Sequence, residues 1–259
     1  MATKRKKKKR TTAIRKVFFF MLIIVLVICG AWYLNGHFER ASFVSYPEFG
    51  IMLPSGFEIH GIDVSKYQST IDWKKASEMN VDDVRIGFVF IKATEGLGNV
   101  DPNFKQNWNG AGLAGITRGA YHFFISTKSG KAQAENFFEK VSLKAGDLPP
   151  VLDIEHSYGT PKTLLQQRVA DWLAATEEKY RVKPVIYTNI NFYLNFLAGR
   201  FDDYPLWISH YFATDKPRIS RSWSFWQHNE RGRVNGIKGL VDFNVFHGDR
   251  TDFQKLLIP

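Results

Sequence analysis

The sequence predicts an α/β fold in which eight strands close into a barrel. From about residue 58 onward, short runs rich in β-branched and aromatic residues alternate with helical stretches. Such alternation favours a parallel sheet with right-handed crossovers. After five strand–helix units, three further strand-like runs follow with too little chain between them for good helices. Eight strands in all indicate a TIM-like barrel with an incomplete helical coat.

The predicted strands are short apolar runs bounded by polar or turn-forming residues, as expected of buried strands. In chain order they are Ile59–Val64, Ile86–Ala93, Gly119–Phe124, Pro150–Glu155, Pro184–Thr188, Pro205–His210, Ser224–His228 and Leu240–Phe246. The predicted helices are Trp73–Met79, Pro102–Ala111, Lys131–Val141, Pro161–Tyr180 and Ile190–Leu197. The fourth helix has the clearest pattern, because Leu165, Val169, Trp172 and Leu173 share one face at helical spacing.

The N-terminus differs in character from the rest of the chain. Residues 1–16 contain nine Lys and Arg and no acid, which leaves 26 basic against 25 acidic residues elsewhere. The formal net charge of +10 therefore belongs to this tail. Residues 17–34 follow as an uncharged, largely apolar run, about long enough for a transmembrane helix. The basic flank predicts a cytoplasmic tail over 1–16 and a signal-anchor over 17–34, with the remaining chain outside.

A cleaved signal peptide is the alternative to this anchor. Cys29, Gly30 and Ala31 could then form a small-residue cleavage site, and the mature chain would be secreted. Cys29 is the only cysteine of the sequence, so no disulfide framework is expected. Residues 35–57 are expected to be a stalk or linker, and residues 58–259 the folded domain.

The most informative residues are two acids at the end of the fourth predicted strand. Asp153 and Glu155 are two positions apart, so their side chains would point to the same face of a strand. Two close carboxylates cannot both ionise freely, so one can hold a proton near neutral pH. Acid-catalysed cleavage of a glycosidic bond uses such a pair. The spacing of these two acids along the strand does not decide whether the reaction retains or inverts the configuration at the anomeric carbon.

Polar and aromatic residues are predicted to gather at the carboxyl ends of the strands, where barrel enzymes of this type have their active sites. Asp63 ends the first strand and Asp242 lies in the eighth, both within apolar runs. The other candidates at the strand ends are Glu95, Tyr121, Tyr187, Trp207, Trp226 and Gln227. Carboxylates and aromatic rings together indicate a glycan site. With no metal-ligand spacing and no Gly-rich phosphate loop in the sequence, neither a metal nor a cofactor is expected.

Several ordered motifs resemble glycoside hydrolase family 25, the Chalaropsis-type lysozymes. The string HGIDVSKYQ (His60–Gln68) resembles the family's opening strand. FIKATEG (Phe90–Gly96) and RGAYHF (Arg118–Phe123) resemble its second and third strands, and LDIE (Leu152–Glu155) resembles its Asp-x-Glu site. The later strands are matched in order by Pro184–Thr188, Leu206–Ile208, Phe225–Gln227 and Val241–Phe246.

The resemblance implies a flattened (β/α)5β3 barrel that hydrolyses the β-1,4 bond between N-acetylmuramic acid and N-acetylglucosamine. By position, Glu155 matches the general acid and Asp153 its partner. Asp63 and Asp242 match two supporting acids of the cleft. Peptidoglycan glycan strands are therefore the expected partner, besides the membrane. The chain is expected to be a monomer and not to bind nucleic acid.

Two other functions stay open at this point. A chitinase-like glycosidase could use a similar Asp-x-Glu pair on chitin oligomers. A catalytically weak wall-binding protein held at the membrane would bind cell wall without releasing reducing ends. The presence of all four acids, Asp63, Asp153, Glu155 and Asp242, argues against the second alternative.

Overall fold

The computed structural model describes residues 18–30 and 43–259, which belong to two compact units, Met1–Ala41 and Ser42–Pro259. In the first unit, residues 18–30 form helix α1, whose large apolar side chains are exposed. None of the helices in the described ranges is both long and apolar enough to cross a membrane. The predicted tail (1–16) and the ends of the predicted span (17 and 31–34) lie outside the described residues.

The second unit contains twelve strands and six α-helices. The strands are β1 (Phe43–Tyr46), β2 (Ile51–Pro54), β3 (His60–Val64), β4 (Asn80–Val81), β5 (Val84–Glu95), β6 (Asn99–Val100), β7 (Thr117–Phe123), β8 (Val151–Asp153), β9 (Val185–Asn189), β10 (Leu206–Ser209), β11 (Phe225–Gly232) and β12 (Val241–Phe246). The helices are α2 (Trp73–Glu78), α3 (Phe104–Leu113), α4 (Gly130–Lys140), α5 (Lys162–Tyr180), α6 (Ile190–Phe192) and α7 (Arg250–Leu256). A 3₁₀ turn spans Lys66–Gln68, and a π-helical turn spans Tyr193–Leu197.

Eight of these strands close into a barrel in the order β3-β12-β11-β10-β9-β8-β7-β5, with β5 pairing back onto β3. Helices α2 to α6 follow the first five barrel strands, and three strands complete the circle. The predicted eight-stranded α/β barrel is confirmed. The barrel is not fully parallel, because its last strand, β12, runs antiparallel to both β11 and β3.

The barrel interior is filled by large aromatic side chains. Side chains alternate between the two faces of each strand, and Phe88, Phe90, Trp207 and Phe225 point inward with less than 3% exposure. Gly61 leaves the space for one of these rings, because a Cβ at this position would lie 2.6 Å from the Phe88 ring. The lower barrel is therefore a packed apolar plug that supports the polar strand ends above it.

The opposite face of the strands packs against the helices. The longest helix, α5, buries Leu165, Val169, Trp172 and Leu173 in this outer layer. These are the residues that the helical spacing assigns to one face. At the other end of the barrel, the unpredicted helix α7 buries Phe253 against Phe88 and Phe246. This helix has about two turns of mostly polar sequence around a single buried ring, which is too short for its period to be recognised.

The linker predicted over 35–57 is corrected over its described part. Residues 43–54 form an antiparallel hairpin, β1–β2, in which Phe43 pairs with Pro54 and Tyr46 with Ile51. The hairpin packs on the barrel, because Phe49 is completely buried and its ring contacts Phe243 at 5.3 Å between centroids. The folded unit therefore begins before residue 58, at the hairpin.

Phe49→Ala should lower the free energy of unfolding by about 3–5 kcal/mol, the range for removing a buried aromatic ring. Met52→Ala in the same hairpin is the matched control. Because Met52 is 50% exposed, it should change stability by no more than about 0.5 kcal/mol. Urea denaturation of both variants measures the difference. Equal, small effects would show that the hairpin is not part of the cooperative unit.

Candidate active site

A cleft of about 330 Å³ opens at the carboxyl ends of the parallel strands. It brings together eight of the ten residues that the sequence assigns to the site, which are Asp63, Tyr121, Asp153, Glu155, Tyr187, Trp207, Gln227 and Asp242. Polar and aromatic side chains from all eight barrel strands and their following loops therefore converge on one cavity, as expected for a barrel of this type.

Asp153 and Glu155 lie side by side on the floor of this cleft. Asp153 is the last residue of β8, and the extended backbone continues for one more step, since the Ile154 amide donates to the Tyr187 carbonyl at 3.0 Å. Ile154 is completely buried in the outer layer, whereas its two neighbours line the cleft. The alternation of a strand thus holds beyond the end of β8 and places both carboxyls on one face.

Burial raises the pKa of both carboxyls of this pair. Burial and the charge of Glu155 raise the pKa of Asp153 well above its ordinary value, and the Lys92 ammonium lowers it. Burial raises the pKa of Glu155, while His156 and a hydrogen bond from Asn189 lower it. The two groups therefore titrate as a pair.

Asp153 has one oxygen without a partner. Its buried Oδ1 makes no hydrogen bond with the described residues, although this atom belongs to a side chain that lines the cleft. An unsatisfied buried carboxylate oxygen costs free energy. Asp153 therefore keeps a buried acceptor that none of the described residues satisfies.

Asp63 and Asp242 form a second pair of acids. They are directly opposite in the register of β3 and β12, and the antiparallel direction of β12 brings its second residue to the carboxyl end of β3. Oδ2 of Asp63 accepts hydrogen bonds from the amides of Gln227 and Asn244, each at 2.8 Å. Burial and the Asp242 charge nevertheless raise the pKa of Asp63 well above its ordinary value. Burial and the charge of Glu230 raise the pKa of Asp242 to about 6.

Phenol and indole groups orient the amides that hold Asp63. The hydroxyls of Tyr187 and Tyr211 both donate to Oε1 of Gln227 at 2.7 Å. Nε1 of Trp207 donates to Oδ1 of Asn244 at 2.7 Å. With their carbonyl oxygens occupied in this way, both amides present N–H groups to the carboxylate. The network fixes the acid's position, and within residues 43–259 no cationic side chain forms an ion pair with it.

Lys92 and Glu95 meet because of a β-bulge. The register between β5 and β7 shifts between Lys92 and Thr94, and such a shift redirects the side chains that follow. Nζ of Lys92 is 2.6 Å from Oε2 of Glu95, three residues away, and also lies over the Phe123 ring. Lys92 lines the cleft, whereas Glu95 lies behind it and holds the ammonium group.

The structure corrects the prediction for Trp226. Its neighbour Gln227 points into the cleft, so alternation along β11 turns Trp226 to the outer face. There the ring is completely buried, packs edge-on against Phe43 and Phe57, and donates its Nε1 to the His210 carbonyl at 3.0 Å. Trp226 therefore supports the hairpin and takes no part in the cleft.

Sequence reasoning missed several residues of the site, among them Asn244, Tyr67, Tyr211 and Glu230. Asn244 could have been found, because it is two positions from Asp242 and shares its face. Tyr67 and Tyr211 lie on connecting segments, and Glu230 lies where the register between β11 and β12 shifts. At such positions no sequence periodicity indicates which way a side chain points. Among the described residues, no group of three or more His, Cys, Asp or Glu side chains is arranged to hold a metal ion.

Comparisons with known proteins identify the family of this chain. The sequence model of the glycosyl hydrolases family 25 matches residues 62–237. Lysozyme M1 of Streptomyces globisporus is 36% identical over 206 residues, covering 73% of this chain and 68% of that protein. The uncharacterized protein YegX of Escherichia coli is 43% identical over 206 residues, covering 80% of this chain and 76% of its own length.

A solved structure has the same fold. The family 25 glycosyl hydrolase from Bacillus anthracis superposes with a TM-score of 0.72 at 30% identity, covering 82% of this chain and 98% of that one. The family model spans more than half of the chain, and its matched region contains Asp63, Asp153 and Glu155. This chain therefore belongs to glycosyl hydrolase family 25, the family of lysozymes and muramidases, and is a glycoside hydrolase.

Proposed function

We propose that the protein cleaves the β-1,4 bond between N-acetylmuramic acid and N-acetylglucosamine in peptidoglycan. The observation that carries this proposal is the Asp153–Glu155 pair, in which a buried carboxylate oxygen without a partner lies beside a second acid of raised pKa. Both sugars carry a 2-acetamido group, whose N–H is a donor suited to that oxygen. The sequence similarity to Lysozyme M1 also supports cleavage of this bond.

Glu155 is the general acid of the proposed reaction. Its carboxyl proton passes to the glycosidic oxygen as the bond from that oxygen to C1 breaks, so the leaving sugar departs as an alcohol. Burial raises the pKa of Glu155 and so keeps this proton available at higher pH. In the second step, the same carboxylate takes a proton from the water that attacks C1.

Asp153 orients the acetamido group of the substrate. When the acetamide N–H donates to the Asp153 carboxylate, the hydrogen bond favours the charged form of this carboxyl and sends the shared proton to Glu155. The acetamide oxygen then attacks C1 and forms a cyclic oxazolinium, which water opens. Such assistance by the substrate is a known alternative to a protein nucleophile. Binding of substrate thereby places the shared proton on Glu155.

Asp63, Asp242 and the tyrosines hold the sugar at this pair. The acids and phenols lie around the floor of the cleft, where they can accept and donate hydrogen bonds to sugar hydroxyls. In their ionised form, the two acids also stabilise the positive charge that develops at C1. Trp207 is buried against Phe90 at 4.4 Å between ring centroids and so supports the floor from below.

We also propose that the catalytic unit lies outside the cytoplasmic membrane and stays anchored through residues 17–34. The basic run 1–16 and the uncharged run after it support this orientation. The described part of this segment, residues 18–30, is helical. An anchored hydrolase would act on wall close to the membrane.

Glu155→Gln should reduce peptidoglycan cleavage by about 10²–10⁴-fold, because it removes the transferable proton and keeps the shape. Glu135→Gln, at an exposed position of α4, is the control and should retain activity. Mass analysis of fragments released from purified peptidoglycan by the full-length protein in detergent measures both. Near-normal turnover by folded Glu155→Gln would overturn the assignment, and cleavage of chitin oligomers alone would favour a chitinase-like enzyme.

The pH profile of kcat/KM should be bell-shaped, because the Asp153–Glu155 pair must hold one proton. Activity falls at high pH when that proton leaves and at low pH when a second one binds. Lys92 lowers the pKa of Asp153, so Lys92→Met should move the acidic limb to higher pH. Lys105→Met, at an exposed position of α3, should leave the profile unchanged. An unshifted acidic limb in Lys92→Met would exclude Asp153 from the titrating pair.

The full-length protein should fractionate with membranes, and external protease should reach its catalytic unit in intact spheroplasts. A chain without residues 1–34 should be recovered in the soluble fraction, since the described folded unit starts only at residue 43. Amino-terminal sequencing completes the test. A mature soluble form that begins near Trp32 would replace the anchor with a cleaved signal peptide.

A further inference from the structure

A second cavity lies beside the cleft. Its volume is about 530 Å³, within the range of roughly 300–1,000 Å³ for ligand pockets. Residues 233–240, which connect β11 to β12, form most of its wall, and Glu48 of the β1–β2 turn completes it. None of these residues takes part in the proposed reaction, so the cavity needs a separate explanation.

The wall of this side pocket is held in place at three points. The Arg233 amide donates to the Phe49 carbonyl at 2.9 Å, which ties the segment to the hairpin. The Gly236 carbonyl accepts from the Asp72 amide at 2.9 Å. Gly236 has a φ of +88°, and a Cβ there would collide with the Asp72 carbonyl. The segment is therefore preorganised, which reduces the entropy cost of binding.

The third point joins the side pocket to the cleft. Nε2 of Gln68 donates to the Leu240 carbonyl at 3.0 Å. Gln68 and its neighbour Tyr67 line the cleft, whereas Leu240 lines the side pocket. The two cavities are thus separated by a single layer of residues, and the Tyr67 side chain is 79% exposed above this boundary. A branch on a glycan bound in the cleft could cross the boundary directly.

The charges of the two cavities are opposite. The cleft is lined by Asp63, Asp153, Glu155 and other acids around one lysine. The side pocket is lined by Arg233 and Lys238 with one acid, Glu48. In the described part of the chain, neither the Arg233 nor the Lys238 side chain has an ion-pair partner. Unpaired cations in a preorganised recess favour a carboxylate ligand.

We propose that the side pocket binds the peptide stem that branches from the muramic acid residue of the substrate. Carboxylates of the stem pair with Arg233 and Lys238, and Glu48 accepts a hydrogen bond from an amine or amide of the same stem. This inference rests on the proposed function, because only peptidoglycan carries such a branch, and it makes the protein selective for glycan that still bears peptides.

The test compares two soluble substrates, a peptide-bearing muropeptide tetrasaccharide and the same tetrasaccharide after enzymatic removal of its peptides. The double variant Arg233→Ala/Lys238→Ala should lose about five-fold in kcat/KM on the peptide-bearing substrate, since two exposed charge contacts are removed. On the peptide-free substrate it should equal the wild type. The matched control is Lys179→Ala/Arg200→Ala, which removes two exposed charges outside both cavities.

The outcomes separate this inference from the proposed function. An equal loss on both substrates, or no loss on either, would overturn the peptide pocket while leaving muramidase activity intact. If the wild type cleaves neither of the two tetrasaccharides, both the proposed function and the peptide pocket are overturned. Conversion of the stem carboxylates to amides should abolish the difference between wild type and double variant, and a persistent difference would exclude carboxylate recognition.

Discussion

Desolvation of carboxyl groups at the mouth of the barrel is the constraint on which the site depends. The aromatic plug of Phe88, Phe90 and Trp207 fills the barrel directly below them, so the acids receive water only from the cleft side. Burial is accordingly the largest cause of the raised pKa values of Asp63 and Asp153. A fold that opened the barrel to water would keep the same residues and lose their chemistry.

The two most strongly desolvated acids, Asp63 and Asp153, differ in how many hydrogen bonds compensate for their burial. Asp63 is surrounded by amides whose own acceptors are occupied by phenol and indole donors, so its position is fixed whether or not substrate is present. Asp153 keeps an oxygen without a partner. The first acid is satisfied by neighbouring side chains, whereas the second keeps a buried acceptor that none of the described residues satisfies.

The β1–β2 hairpin connects the outer core with the side pocket. Its Phe49 ring belongs to the outer core, and its turn contributes Glu48 to the side pocket. The same Phe49 carbonyl anchors the segment that carries Arg233. A change in the hairpin core would therefore alter both the folded unit and the pocket beside the cleft.

The sequence by itself determined the eight-stranded α/β barrel, its family and the face shared by Asp153 and Glu155. These follow from local periodicity and from motifs that lie within single strands. Only the tertiary structure decided the direction of β12, the packing of residues 43–54, the outward position of Trp226 and the pairing of Lys92 with Glu95. Strand direction, a β-bulge and contacts across more than a hundred residues depend on which elements meet, and no local pattern records that. The raised pKa values belong to this second group, because desolvation is a property of the closed barrel and not of any one strand.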